Sequence, residues 1–445
     1  MTLWAACIGG FLFQFDLTAL AAARPEIGAD LGVISEASAW LIDIYSLGLV
    51  LALPASGTLA DRFGRRRMFT TGTVLFAASS ALCALAPSFG TLLLLRALQG
   101  IAGAFLTSAQ MALLAHAYVG SSRARAFGIS GTVIGASMVA GPPFGALIAS
   151  TLGWRWIFWI NLPLCAAILA LVARGVAESS DPDAAGRKID WRGCLLLALA
   201  AGGFAVVLLD AEILGGWWSA GVAVVTGLAL LCAVGFVIVE RSHNYPAIDL
   251  MLFRSRPFAA ICVTAAASAA GYWSLLVHVP RLARGPMGLD PAGAGLLLTA
   301  MTVPMLVLPR FGARLVSRLP AQLFFPLGLV IVGVADFGLS LAAWTDGGNT
   351  LIVVALMASG IGCALINSQI TAAAISAVPA GRAAMASAIC VTMRQIGFSL
   401  GVALLACLRQ IDDSHGFSLA FGGAGFVAMA AAAIGSRLFC TATKT

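Results

Sequence analysis

A charged turn near the start of the chain separates two long apolar runs and is the densest charge cluster in the sequence: Gly57-Thr58-Leu59-Ala60-Asp61-Arg62-Phe63-Gly64-Arg65-Arg66-Arg67. The flanking runs, residues 37–60 and 68–86, are each long enough to cross the roughly 30 Å hydrocarbon core of a bilayer as a helix. The turn must therefore lie at one face of a membrane and join two spanning helices.

The composition of the chain excludes a water-soluble protein. Of 445 residues, 60% are hydrophobic and 10% are charged, a balance typical of membrane proteins with many spans. The net charge of +7 does not indicate nucleic-acid binding, because the basic residues lie in short loops between apolar runs. The cysteines form no CxxC pair and no enzyme or ATP-binding motif occurs, so we expect no metal, no cofactor and no enzymatic activity.

Apolar runs of roughly 18 to 25 residues, the length of a spanning helix, recur fourteen times along the chain. Their approximate limits are 2–23, 37–58, 68–86, 89–113, 126–150, 155–174, 191–210, 217–239, 257–280, 292–311, 322–343, 349–374, 383–407 and 417–437. The first run lacks a basic leader and a small-residue cleavage site, so we expect it to be a retained span. The sequence therefore predicts an all-α polytopic membrane protein with fourteen spans.

The loops differ in charge from one side of the membrane to the other. Nineteen Lys and Arg residues lie in the tail and in the loops on the side of the charged turn, against five on the opposite side. Because basic residues near span ends are retained in the cytoplasm, we expect both termini and the charged turn at the cytosolic face of the cytoplasmic membrane.

The chain also contains an internal repeat. Gly100–Ser108 aligns without a gap on Gly360–Ser368 at an offset of 260, and Leu59–Arg62 matches Leu315–Arg318 at an offset of 256. The echo of the turn has Ser317 where Asp61 stands in the first copy. These offsets superpose spans one to six on spans nine to fourteen, which predicts two parallel six-helix bundles with the substrate path between them.

The repeat divides the chain into three predicted parts. Residues 1–176 form an N-terminal six-helix bundle, residues 177–256 a linker with two additional spans, and residues 257–445 a C-terminal six-helix bundle. We expect the polar segments of the linker to serve mainly as tethers.

Ionisable side chains within spans are functional candidates, because an unpartnered charge in the bilayer costs several kcal/mol. Asp16, Asp43 and Arg96 lie at nearly one depth in the outer half of the first bundle, which suits proton coupling. A structural ion pair that only fixes helix packing is the alternative. Asp336 and Arg394 are candidates in the second bundle, with Asp336 facing either the cavity or an outer vestibule.

The fifth span is rich in glycine and carries two adjacent prolines. Glycines four residues apart let helices approach closely, and prolines remove backbone donors and kink a helix. We predict a hinge at an interface between helices, formed by Gly131, Gly135, Gly141, Pro142 and Gly145.

Several motifs together resemble the major facilitator superfamily, and more closely its fourteen-span drug:proton antiporters of the multidrug and quaternary-ammonium efflux type. The resemblance covers nearly the whole chain. The motifs are Gly57 to Arg66 between spans two and three, Asp16-Leu17-Thr18-Ala19-Leu20 with Pro25, Trp40 to Leu47, Arg96-Ala97-Leu98-Gln99-Gly100, Gly135 to Gly145, Trp154 to Pro163 and Arg394-Gln395-Ile396-Gly397.

The resemblance implies roles for the matched residues. Arg96 would take part in proton transfer, and the charged turn would form a cytosolic gate that latches the two bundles in an outward-open state, with Asp61 accepting from amides of a facing helix. The gate residues are Gly57, Asp61, Arg62, Gly64, Arg65 and Arg66. The expected cavity residues are Asp16, Gln99, Asp336, Arg394 and Gln395. Span thirteen lacks an acidic residue, which argues against dicationic substrates.

The function expected from the sequence is proton-coupled efflux of amphipathic, cationic or neutral drug-like compounds. The expected partners are a small-molecule substrate, protons and the lipid bilayer, with no nucleic acid, and the expected state is a monomer. Two alternatives remain open: a dedicated exporter of one metabolite or self-made antibiotic, and a non-transporting membrane sensor. A substrate screen distinguishes the first, and the absence of a sizeable soluble domain argues against the second.

Overall fold

A computed structural model gives the architecture of most of the chain. It describes residues 1–33, 38, 40–179, 190–210, 214–216, 219–242, 250–289, 291–316, 318–345, 348–379, 382–409, 412 and 415–442. Within these ranges the secondary structure is helical and contains no strand.

Seventeen α-helices follow one another in the described ranges. They are α1 (Thr2–Asp30), α2 (Trp40–Phe63), α3 (Arg65–Ala84), α4 (Phe89–Ala117), α5 (Gly120–Thr151), α6 (Arg155–Trp159), α7 (Asn161–Gly175), α8 (Trp191–Asp210), α9 (Ala220–Ser242), α10 (Arg256–Ser268), α11 (Ser274–Arg284), α12 (Pro291–Val307), α13 (Pro309–Val316), α14 (Ala321–Trp344), α15 (Gly348–Ser376), α16 (Ala383–Arg409) and α17 (Gly416–Ala442). A π-helical turn, Ala269–Trp273, joins α10 to α11, and a 3-10 helix, Leu250–Arg254, precedes α10.

Each predicted span coincides with one helix or with consecutive helices. The pairs α6 and α7, α10 and α11, and α12 and α13 form the sixth, ninth and tenth spans. Ten helices are long and apolar enough to cross a membrane, or twelve if each of two bent pairs is one span. The polytopic all-α fold is therefore confirmed, whereas the count of fourteen, which adds α3 and α8, stays a prediction.

Helix pairs at equivalent places in the two halves make the same close contact. A Cβ atom added at Gly100 would lie 2.1 Å from the Tyr45 carbonyl oxygen, and one added at Gly360 would lie 2.2 Å from that of Met301. The two glycines are 260 residues apart and their two partners 256, the same offsets as in the sequence repeat. The second span therefore packs against the fourth as the tenth packs against the twelfth.

Two bends also occur at equivalent places. The axis of α2 turns by 49° at residue 54, and the step from α12 to α13 turns by 44° at Leu308. A proline lies at or beside each bend, where it removes a backbone donor. The prolines of the predicted hinge behave differently, because α5 runs unbroken through Pro142 and Pro143. Packing against neighbouring helices allows membrane helices to tolerate such prolines.

The glycines of α5 serve two different contacts. A Cβ at Gly145 would lie 2.4 Å from the Ala19 carbonyl oxygen of α1, within the first bundle. A Cβ at Gly135 would lie 2.2 Å from the Met305 carbonyl oxygen of α12, in the second half of the chain. Close packing of α5 therefore holds one bundle together at one end and joins the two bundles near its middle.

An exposed ion pair joins the ends of α1 and α6 beyond the apolar part of α1. Arg155 Nη1 lies 2.7 Å from Asp30 Oδ2, and Trp154 Nε1 donates to the same oxygen at 3.0 Å. These hydrogen bonds from Arg155 and Trp154 hold the pKa of the Asp30 carboxyl below its usual range. Because the pair is exposed, it adds little to stability.

Substitution of the contact glycines tests the repeated packing. We expect Gly100→Ala and Gly360→Ala each to destabilise the protein by about 1–3 kcal/mol, because the added methyl group meets backbone that cannot move aside. Gly90→Ala is the matched control, since it lies on the same helix as Gly100 and its Cβ would meet nothing within 4 Å. Thermal unfolding in detergent measures the effect, and equal melting temperatures for all three variants would contradict this packing.

Candidate functional site

A buried ion pair lies at the centre of the first bundle. Arg96 Nη1 of α4 is 2.6 Å from Asp16 Oδ2 of α1, and both side chains are 0% exposed. The sequence predicted that these two residues share one depth, and in the structure they are in direct contact. A buried charge pair needs further hydrogen bonds to offset the loss of hydration, and this pair has them.

Neighbouring amides complete the coordination of the carboxylate. Gln99 Nε2 and Asn161 Nδ2 donate to Asp16 Oδ1 at 3.1 and 2.7 Å. Arg96 Nη1 also donates to Gln99 Oε1 at 2.7 Å, and Arg96 Nε to the Leu41 carbonyl oxygen at 3.2 Å. Asp16, Arg96, Gln99 and Asn161, named here the Asp16 cluster, therefore join α1, α4 and α7, with α2 in contact.

Local structure explains how the cluster is assembled. Arg96 and Gln99 are three residues apart on α4 and so lie on one helix face. Asn161 is the first residue of α7, where the sixth span restarts after Ile160, and its amide also donates to Ser80 Oγ of α3 at 2.9 Å. Sequence reasoning missed Asn161 as a partner of Asp16 and Ser80 as a partner of Asn161; the available signal was a polar side chain inside an apolar run.

Tyr45 of α2 lies between the Asp16 cluster and the space separating the bundles. The Arg96 guanidinium carbon stands 4.3 Å from the centre of the Tyr45 ring, a cation–π distance. The same tyrosine lines the central cavity. Its hydroxyl group is buried and makes no hydrogen bond to the described residues. The Tyr45 ring therefore contacts both the Asp16 cluster and the central cavity.

Asp43 does not join this cluster. Helix α2 begins at Trp40, so Asp43 stands in its first turn, where a carboxylate stabilises the positive end of the helix dipole. Within the part of the chain that the structure describes, neither Asp16 nor Arg96 hydrogen-bonds to Asp43. The expected grouping of three ionisable residues is therefore reduced to two.

Asp336 lies in a separate polar site in the second bundle. Its Oδ1 accepts from Ser359 Oγ at 3.0 Å, its Oδ2 has no hydrogen-bond partner among the described residues, and the side chain is fully buried. The residue numbers of Asp336 and Ser359 exceed those of Ser80 and Gln99 by 256 and 260. Asp336 therefore occupies the place in the second half that corresponds to the edge of the Asp16 cluster.

A central cavity of about 250 Å³ lies between the two bundles. Arg394 and Gln395 of α16 line it, as predicted, whereas Asp16, Gln99 and Asp336 do not. In this conformation, the α16 members of the predicted cavity set are the ones that line the described wall. Aromatic side chains from both halves supply much of the remaining wall: Phe13, Tyr45, Phe127, Trp273 and Phe398.

Arg394 is the charged side chain among the described residues of the cavity wall. It is half-buried near the middle of α16. Its single hydrogen bond within the described part of the chain runs from Nη1 to Asn367 Oδ1 of α15 at 3.4 Å. The cavity therefore has a largely apolar and aromatic wall that also carries uncharged polar side chains and one cationic group, the Arg394 guanidinium.

The charged turn contacts the second bundle. Asp61 Oδ2, near the end of α2, accepts from the Met385 backbone N–H in the first turn of α16 at 3.0 Å. Asp61 Oδ1 pairs with Arg65 at 2.9 Å. Arg123 Nη1 donates to Ser376 Oγ at 3.0 Å, joining the start of α5 to the end of α15. These contacts hold the bundles together at the predicted cytosolic end.

The linker also docks onto the turn, which the sequence did not predict. Glu178 accepts from the backbone N–H groups of Arg66 and Arg67 at 3.0 and 3.2 Å, and so caps the start of α3. Gly64 adopts φ of 105°, a conformation that favours glycine. Of the other predicted gate residues, Gly57 is buried in α2 and Arg62 lies 5.1 Å from the Phe63 ring centre. Ser317 lies outside the described residues.

Comparison with known proteins gives the family. The sequence profile of the Major Facilitator Superfamily matches residues 6–402. The chain belongs to this superfamily. Proteins of this family are transporters, so the expectation of no enzymatic activity is confirmed.

Named relatives of this superfamily member agree with the multidrug type. The chain is 31% identical over 407 residues to multidrug resistance protein Stp of Mycobacterium tuberculosis, covering 91% of the chain and 75% of that protein. It is 28% identical over 427 residues to multidrug resistance protein 3 of Bacillus subtilis, covering 94% and 80%. Together they support a drug efflux transporter of the integral membrane class.

A solved structure confirms the fold. The major facilitator superfamily proton:xylose symporter XylE superposes with a TM-score of 0.68 at 15% identity, covering 100% of this chain and 94% of that one. At this identity the likeness shows the fold alone.

Removal of one partner tests whether the buried hydrogen bonds and ion pair of the Asp16 cluster stabilise the bundle. We expect Arg96→Met to cost about 3–5 kcal/mol of unfolding free energy, because it leaves a buried carboxylate unpaired. The double variant Asp16→Asn with Arg96→Met should recover much of that loss.

The exposed pair provides the control for this prediction. Arg155→Met breaks the salt bridge to Asp30, whose side chains are 41% and 48% exposed, and should cost no more than about 1 kcal/mol. Chemical denaturation in detergent micelles compares the variants. Similar losses for Arg96→Met and Arg155→Met would show that the buried network does not hold the bundle.

Proposed function

We propose that this superfamily member is a proton-coupled exporter of amphipathic drug-like compounds in the cytoplasmic membrane, and that it works as a monomer. The observation that carries the proposal is the buried pair of Asp16 and Arg96, which contacts the cavity wall through Tyr45. The pair provides one titratable group in the outer half of the bundle, on the side from which protons would enter.

Protonation of Asp16 would change the electrostatics of the cluster. A neutral carboxyl group no longer balances the Arg96 guanidinium, and the strength of such charge interactions in a low-dielectric interior makes the change large. Arg96 must then find other acceptors or move. Because its guanidinium stands over the Tyr45 ring, movement of Arg96 alters a wall of the substrate cavity.

The cluster is not saturated with hydrogen bonds, which favours coupling over a purely structural role. Arg96 Nη2 and Asn161 Oδ1 are buried and have no partner among the described residues. The Asn161 carbonyl oxygen can accept from a protonated Asp16 after a rotation of its amide, since a protonated carboxyl is a donor. A cluster with spare donors and acceptors can rearrange without leaving every polar group unpaired.

The contact between Asp61 and Met385 supports a gate at the predicted cytosolic end. The carboxylate accepts from an amide at the start of α16, where the helix dipole favours a negative charge. We propose that this contact closes the cytosolic side and stabilises an outward-facing state. Release of the contact would accompany opening to the cytosol.

The cavity wall limits the class of substrate. Aromatic and apolar side chains suit amphipathic compounds and imply loose specificity. The described wall offers no carboxylate to balance a cation, which argues against the cationic class expected from the sequence.

Asp16→Asn tests the proton coupling. The variant should remain folded and lose pH-driven transport, because an amide cannot bind and release a proton at this position. Proteoliposomes loaded with a panel of dyes and antibiotics, with and without an imposed pH gradient, measure the effect. Asp43→Asn is the matched control and should keep the response to the gradient, since Asp43 lies outside the cluster. Unaltered gradient-driven transport in Asp16→Asn would refute the assignment.

Asp61→Asn tests the gate. We expect turnover to fall several-fold while relative rates for different substrates stay the same, because Asp61 contacts α16 far from the cavity wall. Initial rates for several dyes in the same vesicles give both quantities. A changed order of substrate preference at normal turnover would count against a gating role.

A further inference from the structure

The charge of Arg394 has no counter-charge on the described wall of the cavity. The guanidinium makes one long hydrogen bond, to Asn367, and the wall residues that the structure describes include no carboxylate. A cation at this depth costs several kcal/mol unless an anion or water compensates it. Some partner that is not part of the wall must therefore satisfy Arg394.

Two buried carboxylates, Asp16 of the first bundle and Asp336 of the second, bind other residues and do not line the cavity. Asp16 is held by Arg96 and two amides, so it cannot also balance Arg394. Asp336 is fully buried against Ser359 and does not reach the cavity. Neither bundle therefore offers Arg394 an internal anion from these sites.

A second donor faces the same space. Trp273, in the π-helical turn between α10 and α11, lines the cavity, and its buried Nε1 has no acceptor among the described residues. Indole N–H and guanidinium groups only donate hydrogen bonds. Two donor groups of the second half thus face the cavity with little to accept from them.

Polar groups of the first half are also unpaired. Gln110 is 0% exposed and Ser130 is 1% exposed; both line the cavity, and their side-chain polar atoms make no hydrogen bond to described residues. Unpaired buried polar groups are rare in native structures. Arg394, Trp273, Gln110 and Ser130 therefore offer hydrogen-bonding groups to a ligand in the cavity. Such groups favour a ligand with a polar part over a pure hydrocarbon.

We propose that the cavity preferentially binds amphipathic organic anions, with a carboxylate or a similar oxyanion on Arg394 and an aromatic body against the ring side chains. The proposal rests on the efflux function proposed above for the direction of transport, but not for the binding itself. An aromatic body is favoured over a small inorganic ion because the wall is largely apolar and aromatic. The carboxylate is favoured over an ester because guanidinium and carboxylate form charge-assisted hydrogen bonds.

Matched pairs of fluorescent probes test this preference. The full-length protein in detergent is titrated with 7-diethylaminocoumarin-3-carboxylate and its ethyl ester, and with pyrenebutyrate and its methyl ester. We expect each acid to bind about tenfold more tightly than its ester, the usual size of one hydrogen bond to a charged group. Excess chloride or acetate should displace neither acid.

Variants of Arg394 and its neighbours test which side chain is responsible for the preference for the acid over its ester. Arg394→Gln should bring the acid-to-ester ratio to about one, and Arg394→Lys should keep a preference for the acid because it keeps the charge. Gln395→Leu is the matched control on the same helix, and it should weaken acid and ester alike. Asn367→Asp places a carboxylate beside Arg394 and should abolish the preference, so it serves as the second test if Arg394→Gln does not fold.

The outcomes separate this inference from the efflux proposal. The inference fails if the esters bind as tightly as the acids, if neither acid binds, if chloride competes fully, or if Arg394→Gln and Asn367→Asp leave the ratio unchanged. Acids that bind with the expected ratio but are not moved in proteoliposomes support the anion site and count against efflux. Equal transport of acids and esters supports efflux and counts against the anion site.

Discussion

The salt bridge between Asp16 and Arg96 is the interaction on which the first bundle depends. Charges survive within a bilayer only when partners offset their lost hydration, and here the partners come from several helices. Asn161 and Ser80 extend the network to α7 and α3, and Leu41 extends it to α2. The hydrogen bonds to the Asp16 carboxylate therefore constrain the relative positions of several helices. A change in the charge of this carboxylate would favour a rearrangement of the side chains that bind it.

The two halves share a packing plan but differ in their use of charge. In the first half, the buried arginine is paired, held in a network and separated from the cavity by Tyr45. In the second half, Arg394 faces the cavity with one hydrogen bond, while Asp336 lies apart. The repeat explains the equivalent glycine contacts and bends. The difference in charge is consistent with the proposals that proton coupling lies in the first bundle and that the second bundle supplies the charged contact to the ligand.

Much of the fold could be predicted from the sequence because span lengths and the internal repeat can be read directly from the order of the residues. The shared depth of Asp16 and Arg96 brought them into one predicted group, but it also brought in Asp43, which stays outside the cluster. The contacts of Asn161 with Asp16 and with Ser80 could not be predicted, because the direction a side chain faces depends on how each helix is rotated within the bundle. The docking of Glu178 on the charged turn could not be predicted either, since it joins segments about 112 residues apart in the chain.

Helices α2 and α16 each contribute to both the cavity wall and the proposed gate. Helix α2 carries Tyr45 at the cavity and Asp61 at the gate, 16 residues apart and so about 24 Å along the axis. Helix α16 carries Arg394 at the cavity and Met385 at the gate, nine residues apart and about 14 Å. A ligand held between Tyr45 and Arg394 would pull on the two helices that the Asp61 contact fastens at their other ends. Occupancy of the cavity and closure of the proposed gate would therefore be linked through α2 and α16, and the bend within α2 lies between the two ends of that link.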